Sequence, residues 1–180
     1  MKNIFLSLML LFVFTSAYAQ RAGLDRGGAV SVEPLFQDLM QPDAGGVFRG
    51  VYFDWSKSKV KDFELTRSTS SLYKEDVETE LVITTDMGAD IMNFADITYT
   101  FDEKGLYHIK VESYATSKQA ADDVYNKVVA FFTKKLGAGV LADDGYLEFK
   151  GKSGSYNYVV ALENIEYEDS PGMYMYIYVN

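Results

Sequence analysis

Apolar residues recur every four positions between Ala120 and Leu136, at Ala120, Val124, Val128, Phe132 and Leu136, and Ala121, Tyr125 and Phe131 widen the same stripe. This spacing collects them on one side of an α-helix, and such a stripe requires an apolar surface to cover it. Thr116 and Gln119 have the spacing of a capping box at the start, and Gly137 supplies a residue suited to the left-handed turn that ends a helix. On the polar side, Asp123 and Lys127 stand one turn apart and predict a surface pair.

Elsewhere the period is two. Ile97, Tyr99 and Phe101 alternate with Asp96, Thr98 and Thr100, and Tyr107, Ile109 and Val111 alternate with His108, Lys110 and Glu112. The connection Asp102-Glu103-Lys104-Gly105 between the two runs predicts an antiparallel hairpin with one buried face. Two less regular strands are expected before it, around Leu72 and Tyr73 and from Val77 to Thr84. Three more follow the helix, over 146–150, 156–165 and 173–179, set off by turns at Asp143-Asp144-Gly145, Gly151-Lys152-Ser153-Gly154 and Asp169-Ser170-Pro171-Gly172.

Toward the N-terminus, Val47, Val51 and Phe53 suggest a short strand that ends at Trp55. Ser56 or Ser58 is placed to cap a short helix bearing Val60 and Phe63. Residues 20–46 hold two Gly-Gly pairs, Pro34 and Pro42, and read as a flexible N-terminal segment. Its one apolar cluster, Val32, Leu35, Phe36, Leu39 and Met40, is expected to form a helical turn able to dock on the domain. Residues 1–19 have the form of a signal peptide: Lys2, an apolar run from Ile4 to Phe14, and Ala17-Tyr18-Ala19 before the expected cut. That run is shorter than the roughly 20 residues of a membrane span. The pattern predicts one α+β domain over 47–180, an antiparallel β-sheet with one long helix and one short helix packed on one face.

Composition narrows the chemistry. The chain has no cysteine, so it has no disulfide framework, thiolate metal site or cysteine nucleophile, and packing must supply its stability. Its net charge is −9, and loss of the leader removes only Lys2 from the charged set. An acidic surface disfavours nucleic acid and anionic membranes as partners and suits a periplasmic or secreted protein. There is one histidine, His108, on the polar side of its strand, which reads as a solvated strand residue. A single histidine cannot build a histidine metal cage, and no nucleophile elbow, phosphate loop or dinucleotide fingerprint occurs. Glu163, Glu166, Glu168 and Asp169 lack calcium-loop spacing and read as an acidic connection. No catalytic residue, metal or cofactor is therefore assigned.

The unusual feature is aromatic, with 14 Tyr and 12 Phe. In the last strand Met173, Met175, Ile177 and Val179 alternate with Tyr174, Tyr176 and Tyr178, and Tyr156 and Tyr158 share a side of the strand before it. If those strands pair, the five tyrosines are expected to form a ladder on one sheet face. Tyrosine joins a large apolar area to a hydroxyl, which suits a surface binding protein, peptide or sugar, although cross-strand aromatic packing also stabilises a sheet by itself.

The stretch Gly50-Val51-Tyr52-Phe53-Asp54-Trp55-Ser56-Lys57-Ser58-Lys59-Val60-Lys61 resembles the opening of small exported bacterial helix-plus-sheet domains. The strands at 97–101 and 106–111 and a long helix ending in Leu136-Gly137 follow in the same order. The element order looks like that of β-lactamase-inhibitor-like proteins and small outer-membrane assembly factors. The resemblance implies a non-enzymatic interaction domain and carries over no functional residue. The expected function is an exported binding module for another envelope protein or an extracellular ligand. The alternatives are a structural component of an envelope assembly and a carboxylate-dependent extracytoplasmic hydrolase.

Overall fold

Helix α1 (Val32–Met40) and a 3-10 turn at Pro42–Ala44 lead to helix α2 (Lys57–Glu64). Strands β1 (Ser70–Glu75), β2 (Glu80–Asp86), β3 (Phe94–Asp102) and β4 (Gly105–Tyr114) then precede the long helix α3 (Lys118–Leu136). Strands β5 (Val140–Leu141), β6 (Leu147–Ser153), β7 (Tyr156–Ile165) and β8 (Gly172–Val179) complete the chain. The computed structural model describes residues 31–75, 78–165 and 170–180. The expected signal peptide, residues 20–30, Val77 and the 166–169 acidic connection lie outside the described residues.

All eight strands form one antiparallel sheet in the order β1-β2-β3-β4-β8-β7-β6-β5. Two four-strand meanders are thus joined where β8 returns beside β4, and α3 is part of the connection between them. The fold is α+β, with the helices on one face of the sheet. Because side chains opposite one another in a ladder share a face, the registers define the covered side. It carries Leu81 and Ile83 from β2, Ile97 and Tyr99 from β3, Ile109 and Val111 from β4, Met175 and Ile177 from β8, and Val160 and Leu162 from β7, all buried.

Helix α3 lays Ala120, Val124, Val128 and Phe132 on this surface, and Phe132 packs against Phe149 of β6 with ring centroids 5.9 Å apart. Each large side chain so covered contributes about 1.5–3 kcal/mol. The cap differs from the expected box by one residue. Ser117 is the N-cap and accepts a hydrogen bond from the Ala120 amide at 3.2 Å, while the Thr116 amide donates to Asn93 Oδ1 at 2.8 Å. Gly137 ends the helix with φ 96°, as expected. Lys127 pairs with Glu33 of α1 at 2.7 Å, tying two helices together, and Lys118 pairs with Asp122 at 2.8 Å.

Among the described residues, packing against the sheet already involves positions before Val47. The apolar cluster in the expected flexible segment forms helix α1, which buries Leu35, Phe36, Leu39 and Met40 against the domain. Four buried side chains on nine residues release enough apolar area to hold so short a helix in place. The expected strand at 47–53 is instead a tight turn: Phe48 and Val51 form an isolated bridge, and Arg49 and Gly50 between them both have positive φ, 52° and 85°. Ser56 caps α2 as expected, accepting from the Lys59 amide at 3.4 Å.

Candidate functional site

The β7–β8 register separates the five tyrosines. Tyr158 pairs with Val179, whereas Tyr174, Tyr176 and Tyr178 pair with Glu163, Ala161 and Val159. Even-numbered positions of one strand therefore face odd-numbered positions of the other, and the expected single ladder does not form. Tyr158 belongs to the covered face, 3% exposed, with its ring 5.7 Å from Phe53 and directly over Gly151, where a Cβ would meet the ring at 2.4 Å. Tyr156, on the same side, contacts Phe53 at 5.7 Å and lines a cleft of about 540 Å³ with Tyr52, Asp54, Trp55 and Ser155. Tyr174, Tyr176 and Tyr178 project from the face that no helix among the described residues covers, each half-buried by its neighbours.

On that open face three rows of side chains cross β6, β7, β8 and β4. One is Glu148, Ala161, Tyr176, Lys110, and the next is Lys150, Val159, Tyr178, His108. In the third, Glu163, Tyr174 and Glu112 are flanked by Tyr146, whose hydroxyl bonds the Glu163 carboxylate and the Tyr176 hydroxyl. Ala161 is the smallest residue of its row and lies between two long ones. A hollow of about 340 Å³ opens above it, walled by His108, Asp144, Tyr146, Glu148, Tyr176 and Tyr178.

The rings around the hollow hold one another. His108 stacks on Tyr176 at 6.1 Å and 18°, while Tyr146 meets Tyr176 edge-on at 5.8 Å and 77°. The bond to the Glu163 carboxylate, followed by desolvation and the charges nearby, pushes the Tyr146 hydroxyl far above the ordinary tyrosine range, so it stays a donor. Partial burial lowers the His108 pKa against the opposing pull of the Glu80 carboxylate, which favours the neutral ring. Lys110 does not face the hollow unpaired: its ammonium lies 3.0 Å from Glu112 and 5.7 Å from the Tyr174 ring centroid. His108, expected as a bland solvated residue, is thus half-buried in an aromatic wall.

A second polar cluster is sealed under the helices. Arg49 and Glu64, 1% and 0% exposed, form a two-point ion pair, with Nε to Oε1 and Nη2 to Oε2 each at 3.2 Å. Tyr99 donates to Glu64 Oε1 at 2.6 Å, and the Arg49 guanidinium also reaches Ser70, Thr85 and the carbonyls of Asp38 and Leu39. Arg67 donates to the Arg49 carbonyl and approaches Glu64 Oε2 at 3.4 Å. The cluster ties α1, α2, β1, β2 and β3 together, with the Arg49 and Glu64 side chains at its buried centre. Sequence reasoning missed it, although Glu64 follows Val60 by four residues and so stands on the buried stripe of α2, a position where a charge requires a partner.

Among the described residues no group of three or more His, Asp or Glu side chains is gathered to hold a metal ion, and no helix is long and apolar enough to cross a membrane. Comparison with protein-family models, with characterised proteins and with solved structures finds no match to this chain.

Proposed function

We propose that the chain is an exported, non-enzymatic binding module whose uncovered sheet face takes a ligand from another envelope protein or from the extracellular medium. The observation carrying this reading is the hollow over Ala161, where three tyrosines, His108 and two carboxylates converge on a face that no helix among the described residues covers. Aromatic rings with bonded hydroxyls present a rigid, partly apolar surface that loses little conformational entropy on binding. The signal-peptide pattern at 1–19 supports the exported location.

The test is a panel of glycans, peptides and small metabolites screened against the folded chain lacking residues 1–19. Replacing Tyr174, Tyr176 and Tyr178 together by Ser is expected to abolish any binding found. Retention of that binding by a triple variant with an unchanged circular dichroism spectrum would refute the reading.

A second reading, a carboxylate-dependent hydrolase, is favoured by one observation: Asp144 and Glu148 line the same hollow as His108. Turnover of model glycosides or esters that Glu148→Gln abolishes without loss of fold would replace the first reading with this one.

A further inference from the structure

We propose that the hollow over Ala161 binds an alkylammonium group, with the tyrosine rings around the cation and the carboxylates of Asp144 and Glu148 supplying opposite charge. This rests on the binding-module reading and names its ligand class.

The argument begins with the ladder. Glu148, Ala161 and Tyr176 are direct neighbours across β6, β7 and β8, so the missing side-chain volume at Ala161 lies between a carboxylate and a phenol ring. The walls add Tyr146, Tyr178, the His108 ring and the turn carboxylate Asp144. Tyr146 and Tyr176 stand nearly perpendicular, at 77°, so π-systems bound the space in different planes. A cation is attracted to such rings, and more strongly once water is excluded.

Charge then separates the ligand classes. No lysine or arginine is among the described residues that line the hollow, whereas two carboxylates are. Burial raises the pKa of the Tyr178 hydroxyl, and the Glu148 and Asp144 charges add to that shift. The nearest basic neighbour in the Ala161 row, Lys110, is engaged by Glu112 at 3.0 Å. His108, stacked on Tyr176 at 6.1 Å, adds a ring to the wall, and its partial burial disfavours the charged form that would repel a cation. An anion would meet two like charges, and a neutral polyol would leave the carboxylates without a counter-charge. An alkylammonium group satisfies both the rings and the carboxylates.

The molecule carries its own reporters. His108 is the only histidine and lines the hollow, and Trp55 is the only tryptophan and does not. Choline, a free cation, and Nα-acetyl-lysine methylamide, a protein side-chain mimic, are titrated separately into the folded chain at pH 7. The His108 ring protons and the Trp55 indole proton are followed by NMR. At least one cation is expected to shift His108 in a saturable way and leave Trp55 unmoved, and which of the two binds tighter tells a free ligand from a displayed lysine. Glu148→Gln and Ala161→Leu, the second filling the hollow, are each expected to weaken the response about tenfold, which is about 1.4 kcal/mol.

Three results would overturn the assignment. If 3,3-dimethylbutan-1-ol, the uncharged counterpart of choline, shifts His108 equally well, charge is not recognised and the binding-face reading alone survives. If neither cation moves His108 while the panel identifies a neutral or anionic ligand lost on Tyr→Ser replacement, the face is right and the ligand class wrong. A panel with no ligand lost on that replacement removes both readings.

Discussion

The molecule holds two clusters built from the same materials, carboxylates beside tyrosines, and they differ in what surrounds them. Under the helices, the fully buried Glu64 carboxylate has the Arg49 guanidinium against both oxygens, the Tyr99 hydroxyl at 2.6 Å, and Ser70 and Arg67 each at 3.4 Å. On the open face, Glu148 and Asp144 border a hollow that no basic side chain lines among the described residues. A buried carboxylate must be satisfied within the fold, whereas one at a solvated hollow is free to be satisfied by something else. The first cluster holds elements in register, and the second is the one we propose for recognition.

The sharpest way to break the comparison is to remove one partner from each cluster. Arg49→Ala takes the two-point partner from the buried Glu64 carboxylate and leaves it only the 3.4 Å approach of Arg67, and is expected to cost about 3–5 kcal/mol, read from denaturant unfolding. The double variant Arg49→Met with Glu64→Leu is expected to recover most of that loss, because the penalty belongs to the orphaned charge. Full loss in the double variant would mean that the pair itself, with its bonds to five elements, supplies the stability. Phe132→Ala, which opens a cavity between α3 and β6 where no charge is involved, is expected to cost a similar 3–5 kcal/mol and calibrates the first result.

Tyr99→Phe removes one hydrogen bond to a buried charge and is expected to cost about 1.5–3 kcal/mol at pH 7. It also sharpens the comparison through pH. Burial, reinforced by the Glu64 charge, raises the folded pKa of Tyr99 well above its ordinary value. The protonated phenol therefore stabilises the fold below about pH 10, and that contribution is lost as pH rises above the unfolded value. Stability of the parent chain is expected to fall more steeply above pH 10 than that of Tyr99→Phe, and parallel curves would show that Tyr99 does not titrate against folding. The smallest effect belongs to the open face. Glu148→Gln is expected to change stability by less than about 0.5 kcal/mol, since its carboxylate makes no hydrogen bond or ion pair among the described residues. A larger loss would place Glu148 among the residues that hold the fold.

The contrast also explains which parts of the molecule were legible in the sequence. Helix α3 and the β3–β4 hairpin were readable because each repeats its period over several turns or residues, and burial follows that period through Val128 and Ile97. Helix α1 was only half readable. Its apolar cluster was visible, but Gly and Pro around it suggested a linker, and only α3 and the sheet supply the surface that makes nine residues helical. The Arg49–Glu64 pair spans fifteen residues and depends on a two-residue turn turning a guanidinium inward, which no local pattern encodes. The tyrosine alternation within β8 was readable, but its relation to β7 was set by register, where a slip of one residue exchanges faces. The hollow was hidden for a similar reason, because Ala161 is unremarkable within the apolar run of β7 until its cross-strand neighbours are known.

The central claim is that the sheet has one sealed face and one open face, with the tyrosines of β7 and β8 divided between them. Nitration of the folded chain, mapped by mass spectrometry of its peptides, tests this directly. Tyr174, Tyr176 and Tyr178 are predicted to react while Tyr99 and Tyr158 stay protected until the chain is unfolded. Modification of Tyr158 as fast as Tyr176, or protection of all three β8 tyrosines, would contradict the division on which the binding face depends.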